Sequence, residues 1–298
     1  MTKEVAIMKE NLLNKDHRLY EILCSKKAPK WWSKLKNDGE LYIEVRKNNI
    51  LDVYYQGGRM AEIRYNNSDK KIIATAHPKY LGYGDEYKDD DQFYKKDIKK
   101  DRTVEYVPIY QDCEEWLSNR KEELKANIRR CYSGIKNGEK TSEKFIQGEL
   151  IINGRDKYLD SEFAHRFYVG ERNTIRIDLV KIEDGKVVFE ELKRIGDARL
   201  RTSEGNPEII TQMTNYRIFL DKNKDVLTKY YRTLYKIKQQ LELPLPKVDD
   251  VEVLIVDPEP QLIIAHNYET MGNKREERIK AIKTALLNID VKPTFFKP

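Results

Sequence analysis

Apolar and polar positions alternate along a stretch in the second half of the chain. Residues 174–180 place isoleucine or leucine at every second position, and residues 187–194 form a second β-like run. A period of two is typical of a β-strand, because successive side chains point to opposite faces. The Asp184-Gly185 pair between the runs suits the positive φ angles of a tight turn. The pattern therefore predicts an antiparallel hairpin.

This hairpin carries acids and a lysine suited to a metal site. Glu191 and Lys193 are two residues apart and share one face, and adjacent antiparallel strands can bring Asp178 close to Glu191. Carboxylate oxygens are the ligands that Mg²⁺ prefers, and a bound metal with a neighbouring ammonium supports phosphodiester hydrolysis. Glu190 is the competing acid, and we interpret it as a surface residue. The face that Glu191 shares with Lys193 favours Glu191 as the acid of the site.

A helical pattern follows a polar loop. Asn206 fits an N-cap and Pro207 fits the first position of a helix that runs through Leu220. Gln212 and Tyr216 are four residues apart, so they share one face of this helix. Both side chains could therefore point at the acids of the hairpin.

These residues together resemble the PD-(D/E)XK nuclease superfamily. Asp178 followed by Glu191-Leu192-Lys193 is similar to the signature of the family, and residues 212–216 are similar to the QxxxY motif of its RecB-like and NucS-like branches. Ile177 stands where the family has its name-giving proline, which carries no chemistry of its own. The loop between Lys193 and Gln212 is longer than the family pattern.

The resemblance implies a restriction-endonuclease-like core of a helix, three strands, a helix and a further strand. It implies that the two acids of the motif bind Mg²⁺ or Mn²⁺, that the lysine positions or activates the water, and that the QxxxY residues orient the site or the DNA backbone. It also implies an acid from the first core helix, for which Glu143 is the candidate third metal ligand and Glu162 the reserve. The implied catalytic residues are Asp178, Glu191, Lys193, Gln212 and Tyr216.

The remaining patterns predict two domains of an α/β (α+β) protein, for which 298 residues are sufficient. Four β-like runs separated by turn-forming residues predict an antiparallel β-meander, preceded by a mostly helical segment over residues 1–36. A tryptophan pair, Trp31 and Trp32, is expected to fill the core. The predicted parts are residues 1–110 (meander and helices), 111–138 (connecting helix) and 139–298 (nuclease-like domain).

The nuclease-like region continues with regular spacing to the end of the chain. An amphipathic helix over residues 227–241 suits packing within the domain or against a second subunit, so a homodimer is compatible with the sequence. The other predicted elements are helices at 141–152 and 275–287 and strands at 157–168, 251–256 and 261–265.

Composition narrows the function classes. The net charge of +6, with 36% charged residues, permits nucleic-acid binding, although such a surface also serves solubility. The three cysteines form no CxxC pair and the four histidines lack metal-ligand spacing, so neither a disulfide framework nor a zinc site is expected. No apolar run is long enough for a membrane span and no signal peptide is evident, which predicts a cytoplasmic protein.

Arginines and tyrosines alternate in the meander, at positions such as Arg46, Tyr54 and Arg59. This interleaving would suit a nucleic-acid surface. The same residues are ordinary in strands, and that interpretation carries more weight. The hypothesis is that the N-terminal module selects or positions the substrate.

The expected activity is a metal-dependent endonuclease or exonuclease acting on DNA, with RNA left open. The resemblance implies work in DNA repair, branched-structure cleavage or antiviral defence against foreign DNA, alone or in a larger repair or defence complex. The alternatives are a catalytically silent nucleic-acid-binding or scaffold protein that retains the core, and a hydrolase acting on a small nucleotide.

Overall fold

The computed structural model describes most of the chain as a mixed α/β protein, which confirms the predicted fold class. It divides into two compact units. The site unit comprises Met1–Glu10, Asp156–Arg232 and Leu245–Pro298, and the meander unit comprises Asn11–Arg155 and Thr233–Pro244. The described residues are 4–10, 12–26, 28–76, 80, 107–108, 113–132, 135–136, 139–140, 142–170, 174–201, 207–266, 269–270 and 272–298.

These bounds differ from the predicted ones. The sequence placed the start of the nuclease-like domain at residue 139, whereas residues 139–155 group with the meander unit. A short segment from later in the chain, Thr233–Pro244, also belongs to that unit. Within the described ranges, no helix has both the length and the apolar character needed to cross a bilayer.

The meander unit is built on an antiparallel sheet. Its five strands, the fifth of which is only two residues long, pair in chain order, which confirms the predicted meander. The elements are α1 (Arg18–Cys24), α2 (Lys30–Lys36), β1 (Leu41–Arg46), β2 (Ile50–Tyr55), β3 (Gly58–Asn66), β4 (Lys71–Ala76), β5 (Val107–Pro108), α3 (Cys113–Tyr132), β6 (Ile135–Lys136), β7 (Glu139–Lys140) and α4 (Glu143–Asn153).

The N-terminal segment is less helical than predicted. Among the described residues of this segment, helices occupy only α1 and α2, and residues 4–10 are extended rather than helical. Val5 forms a β-bridge with Tyr168, and the Ala6 amide donates to the Phe167 carbonyl at 2.8 Å. This segment therefore satisfies its backbone by pairing with a distant part of the chain, which local spacing does not reveal.

The core predictions for the meander unit are confirmed at the tryptophan pair, since Trp31 and Trp32 are both buried. Two arginines of the meander are engaged within the sheet. Arg46 and Arg59 both form ion pairs with the buried Asp52, at 3.3 and 3.2 Å. Their charges compensate the buried carboxylate of Asp52, so these guanidinium groups stabilise the sheet.

Two glycines allow the turn between β2 and β3 to approach α4 very closely. Gly57 has a φ of +77°, and a Cβ added to it would lie 1.8 Å from the Lys144 carbonyl oxygen. A Cβ added to Gly148 of α4 would lie 2.4 Å from the Gly57 nitrogen. Both obstacles are backbone atoms, which cannot move aside as a flexible side chain would.

Gly148→Ala is expected to destabilise the protein by about 2 kcal/mol or more, because overpacking against backbone outweighs the gain of about 1 kcal/mol in helix propensity. The measurement is the free energy of unfolding in denaturant. Gly39→Ala is the matched control, since a Cβ there meets nothing within 4 Å. Equal stability of the two variants would contradict the expected clash.

The site unit is built on a six-stranded mixed sheet. The strand order is β13-β12-β10-β9-β8, with β11 also paired to β10. The elements are β8 (Tyr158–Arg166), β9 (Thr174–Glu183), β10 (Lys186–Arg194), α5 (Glu208–Lys222), α6 (Lys224–Gln240, of which the part to Arg232 belongs here), β11 (Ile255–Val256), β12 (Gln261–Ala265), α7 (Asn273–Leu287) and β13 (Thr294–Phe296), with 3₁₀ turns at Ala198–Leu200 and Val251–Val253.

The predicted hairpin is confirmed in β9 and β10. Glu183 pairs with Lys186 across a two-residue turn, in which Asp184 and Gly185 have φ angles of +49° and +72°. A type I′ turn requires positive φ at both of its central residues, and an Asp-Gly pair favours this turn. The turn therefore sets the register of the two strands.

Two local predictions in this unit are corrected. The segment 251–256 is only partly a strand: the Asp250 carboxylate accepts from the Glu252 amide at 2.9 Å and closes a 3₁₀ turn, which leaves Ile255–Val256 as β11. The helix α5 begins at Glu208, so Pro207 is its N-cap rather than its first residue. Asn206, the predicted N-cap, lies outside the described residues.

Candidate active site

The predicted site lies where β9 and β10 separate. Their antiparallel pairing ends at Glu190 and Leu179, and Glu191 and Asp178 are the next residue on each strand. Beyond this point β10 continues beside β12 and β9 continues beside β8. The sheet therefore forks at the two acids that the sequence singled out.

The fork leaves backbone groups that side chains of the site satisfy. The Leu192 amide donates to Asp178 Oδ2 at 2.9 Å. The Tyr216 hydroxyl donates to the Arg176 carbonyl. Because buried backbone groups need partners, these bonds replace the missing strand pairing and fix Asp178 and Tyr216 in the fork.

Glu191 is the centre of a buried hydrogen-bond network. Its Oε1 accepts from Lys193 Nζ and, at 2.7 Å, from Gln212 Nε2. Its Oε2 lies 3.1 Å from the Tyr216 hydroxyl. Lys193 also donates to the Leu192 carbonyl at 3.0 Å, and both members of the Glu191–Lys193 pair are about 2% exposed or less. The orientation of Glu191 is therefore determined by Lys193 of its own strand and by two residues of α5.

The helix α5 supplies the two residues of the QxxxY pattern. Gln212 Nε2 donates to the Tyr216 hydroxyl at 2.6 Å, so the residues share one face and meet at Glu191. Gln212 Oε1 is buried and accepts no hydrogen bond from the described residues. Buried acceptors normally have a hydrogen-bond donor. This oxygen is therefore available to a water molecule or a bound ligand.

The electrostatics of the site favour a bound cation. Burial and, to a smaller extent, the neighbouring Asp178 charge together raise the pKa of Glu191 to about 8, although Lys193 opposes the shift. Burial and the Glu191 charge also raise the pKa of Tyr216. Two carboxylates so close compete to be ionised, and a divalent cation between them would relieve that competition.

The donor set fits Mg²⁺. The described part of the chain contains no group of three acidic, histidine or cysteine side chains placed to hold a metal ion. Mg²⁺ does not require three such side chains, because it keeps several waters and commonly binds through one or two carboxylates together with substrate phosphate. Asp178 and Glu191 supply those carboxylates.

The two candidates for a further acid lie in different units. Glu143 is the first residue of α4 and belongs to the meander unit, so its role as a third ligand stays a prediction. Glu162, the reserve, lies in β8 with a φ of +52°. Its neighbours Ser161 and Phe163 pair with Leu179 and Ile177, which places Glu162 opposite Asp178.

Glu190 corrects the sequence interpretation. We predicted a surface residue, but Glu190 is 2% exposed and pairs with Lys181 Nζ at 2.8 Å. The alternation assigned Glu190 to the face opposite Glu191, and both faces of β10 are buried. Leu192, which the sequence did not single out, contributes its amide and its carbonyl to the site. Only the fork makes these backbone groups available to side chains.

Comparison with protein-family models, with curated proteins and with solved structures gives no match for this chain. The resemblance to the PD-(D/E)XK superfamily therefore rests on the motif residues and on the order of the elements around them. The geometry of those residues is the basis for the function considered next.

Proposed function

We propose that this protein is a Mg²⁺-dependent nuclease that hydrolyses phosphodiester bonds in DNA. The observation that carries the proposal is the convergence of Asp178, Glu191 and Lys193 at the fork of the sheet. These are an acid, a second acid and a lysine from two neighbouring strands. The hydrogen bonds that Gln212 and Tyr216 make to the buried Glu191 carboxylate support a preorganised site rather than a solvated charged surface.

Each residue has a role that follows from its contacts. Asp178 and Glu191 would hold the ion, which when bound acts as a Lewis acid and lowers the pKa of a coordinated water. Lys193 is held between Glu191 and the Leu192 carbonyl, so its ammonium stands beside the acids without a water shell of its own. A desolvated positive charge stabilises the negative charge that develops on the reacting phosphate.

Gln212 and Tyr216 are assigned to positioning. Both contact the Glu191 carboxylate, and Tyr216 also binds the backbone of β9. Since a ligand must be held in a productive orientation, these contacts would keep Glu191 directed toward the ion. We place the enzyme in the cytoplasm, acting in repair, on branched structures or against foreign DNA.

The test is incubation of the protein with linear duplex, single-stranded and branched DNA in the presence of Mg²⁺ or Mn²⁺. We expect cleavage that stops on chelation and falls by about 10²-fold or more in Lys193→Ala, because a preorganised charge at the reacting group is lost. Lys186→Ala is the matched control, since this lysine lies at the exposed start of the same strand and pairs with Asp257.

The outcomes separate the candidate functions. DNA that is bound but never cut would favour a silent binding or scaffold protein over the proposed nuclease. Hydrolysis of mononucleotides by a protein that leaves DNA uncut would favour a small-nucleotide hydrolase. A parallel incubation with RNA shows whether the protein is a ribonuclease. Equal cleavage by wild type and Lys193→Ala, with both folded by circular dichroism, would remove the assigned role of the lysine.

A further inference from the structure

One surface of the site unit continues from Asp178 along the two neighbouring strands. Burial alternates along β9: Ile175 and Ile177 are buried, whereas Thr174 and Arg176 are exposed and Asp178 is half-buried. Because alternate residues of a strand share a face, Thr174 and Arg176 lie on the same face as Asp178.

The paired positions of β8 extend this surface. Ala164 pairs with Arg176 and Arg166 pairs with Thr174, and both β8 residues are exposed. We call these four residues the arginine face. Each arginine stands opposite a small side chain, and diagonal neighbours in such a ladder are about 7–8 Å apart. The guanidinium groups can therefore contact separate phosphates without obstruction from the residues between them.

The two guanidinium groups of the arginine face are not paired with any described carboxylate. Among the described residues, neither Arg166 nor Arg176 forms a side-chain ion pair or hydrogen bond. Three other arginines of the site unit are held by carboxylates: Arg199 by Asp197 at 2.7 Å, Arg217 by Glu259 at 2.6 Å and Arg232 by Glu252 at 3.7 Å. The two arginines beside the fork thus differ from these three.

We propose that the arginine face binds the phosphate backbone of DNA and leads it to Asp178. The inference rests on the proposed function and assigns its substrate-binding surface. Guanidinium groups bind phosphate oxygens through paired N–H donors and are weakly hydrated, so an exposed arginine that no described carboxylate holds, beside the acids of the fork, is suited to this role. The neighbouring positive charges would also offset the repulsion between DNA and the two carboxylates of the fork.

The experiment measures binding without turnover. Fluorescently labelled duplex and single-stranded DNA are titrated with protein in a chelator, over a series of salt concentrations, and binding is followed by anisotropy. The test variant is Arg166→Ala/Arg176→Ala. The matched control is Lys280→Ala/Lys292→Ala, which removes two exposed charges from the α7–β13 region at the opposite edge of the sheet.

We expect the arginine variant to bind about tenfold more weakly or worse, with the slope of log affinity against log salt reduced by about 0.9 per arginine for duplex DNA. The control should match wild type. Wild-type affinity and slope in the arginine variant, or no DNA binding by wild type, would overturn the proposal.

Cleavage assays on the same DNA separate this inference from the proposed function. If the arginine variant loses binding but wild type never cuts with Mg²⁺ or Mn²⁺, the arginine face stands and the nuclease assignment fails. If wild type cuts and the arginine variant binds and cuts equally well, the arginine face fails and the nuclease assignment stands. Both arginines are exposed, so unchanged thermal unfolding is expected for the variant.

Discussion

Asp178→Asn is expected to lower the rate of DNA cleavage by about 10³-fold while the protein stays folded, since partners that merely orient metal ligands are already worth about 10–100-fold. The substitution removes the negative charge that Mg²⁺ requires. It keeps an oxygen that accepts from the Leu192 amide, which Asp178 Oδ2 now does at 2.9 Å. The hydrogen bond between residue 178 and the Leu192 amide should therefore be kept, and with it the local structure of the fork.

The matched control for this variant is Asp184→Asn. It makes the same chemical change in the turn between the same two strands, where a φ of +49° is well tolerated by asparagine. We expect wild-type cleavage from Asp184→Asn. Rapid cleavage by Asp178→Asn, with both variants showing native circular dichroism, would refute the assignment of Asp178 as a metal ligand.

The second large effect concerns stability and pH. In the absence of divalent metal, the free energy of unfolding should fall as pH rises from about 4.5 to about 8, the ordinary and folded pKa values of Glu191. Within this window the folded protein retains a proton that the unfolded chain has released, so rising pH favours unfolding. The full effect of Glu191 is on the order of 5 kcal/mol, since its pKa changes from 4.5 to about 8 and each pKa unit corresponds to about 1.4 kcal/mol.

Mg²⁺ should reverse this loss. The ion binds the ionised carboxylates, so the stabilisation that it provides should grow with pH across the same window. Denaturant unfolding at a series of pH values, with chelator and with Mg²⁺, measures both effects.

Glu191→Gln is the control for the pH effect, because it keeps polar oxygen and nitrogen atoms in place but does not titrate. The difference in stability between wild type and this variant isolates the contribution of Glu191 from all other groups. We expect the variant to lose both the pH dependence assigned to Glu191 and most of the response to Mg²⁺. An identical pH profile in the two proteins would show that Glu191 titrates normally.

Local pattern was sufficient to predict the elements that bear the site. The alternation in β9, the Asp184-Gly185 turn and the spacing of Gln212 and Tyr216 each depend on residues close together in sequence. Their geometry in the structure follows these rules: the turn has two positive φ angles and the two α5 side chains meet one turn apart. Because a two-residue turn fixes the register of its strands, the sequence also indicated that Asp178 and Glu191 would be neighbours.

Long-range packing decided what local pattern left undetermined. Glu190 is buried rather than exposed because both faces of β10 are covered, and alternation alone predicts only that two faces exist. Residues 4–10 are extended because Val5 finds a partner at Tyr168. The grouping of α4 with the meander unit likewise depends on contacts such as that between Gly148 and Gly57.

The sequence by itself determined on which strands and on which helix the predicted site residues stand, since strand alternation, turn type and helical spacing are set by neighbouring residues. Only the tertiary structure decided that the sheet forks at Asp178 and Glu191, and that Tyr216 reaches the freed Arg176 carbonyl. It also decided that Arg166 and Arg176 lie beside the fork without a side-chain ion pair to any residue that the structure describes. The physical reason is that a fork, a buried network and an unpaired charge are properties of segments distant in sequence, which meet only when the chain is folded.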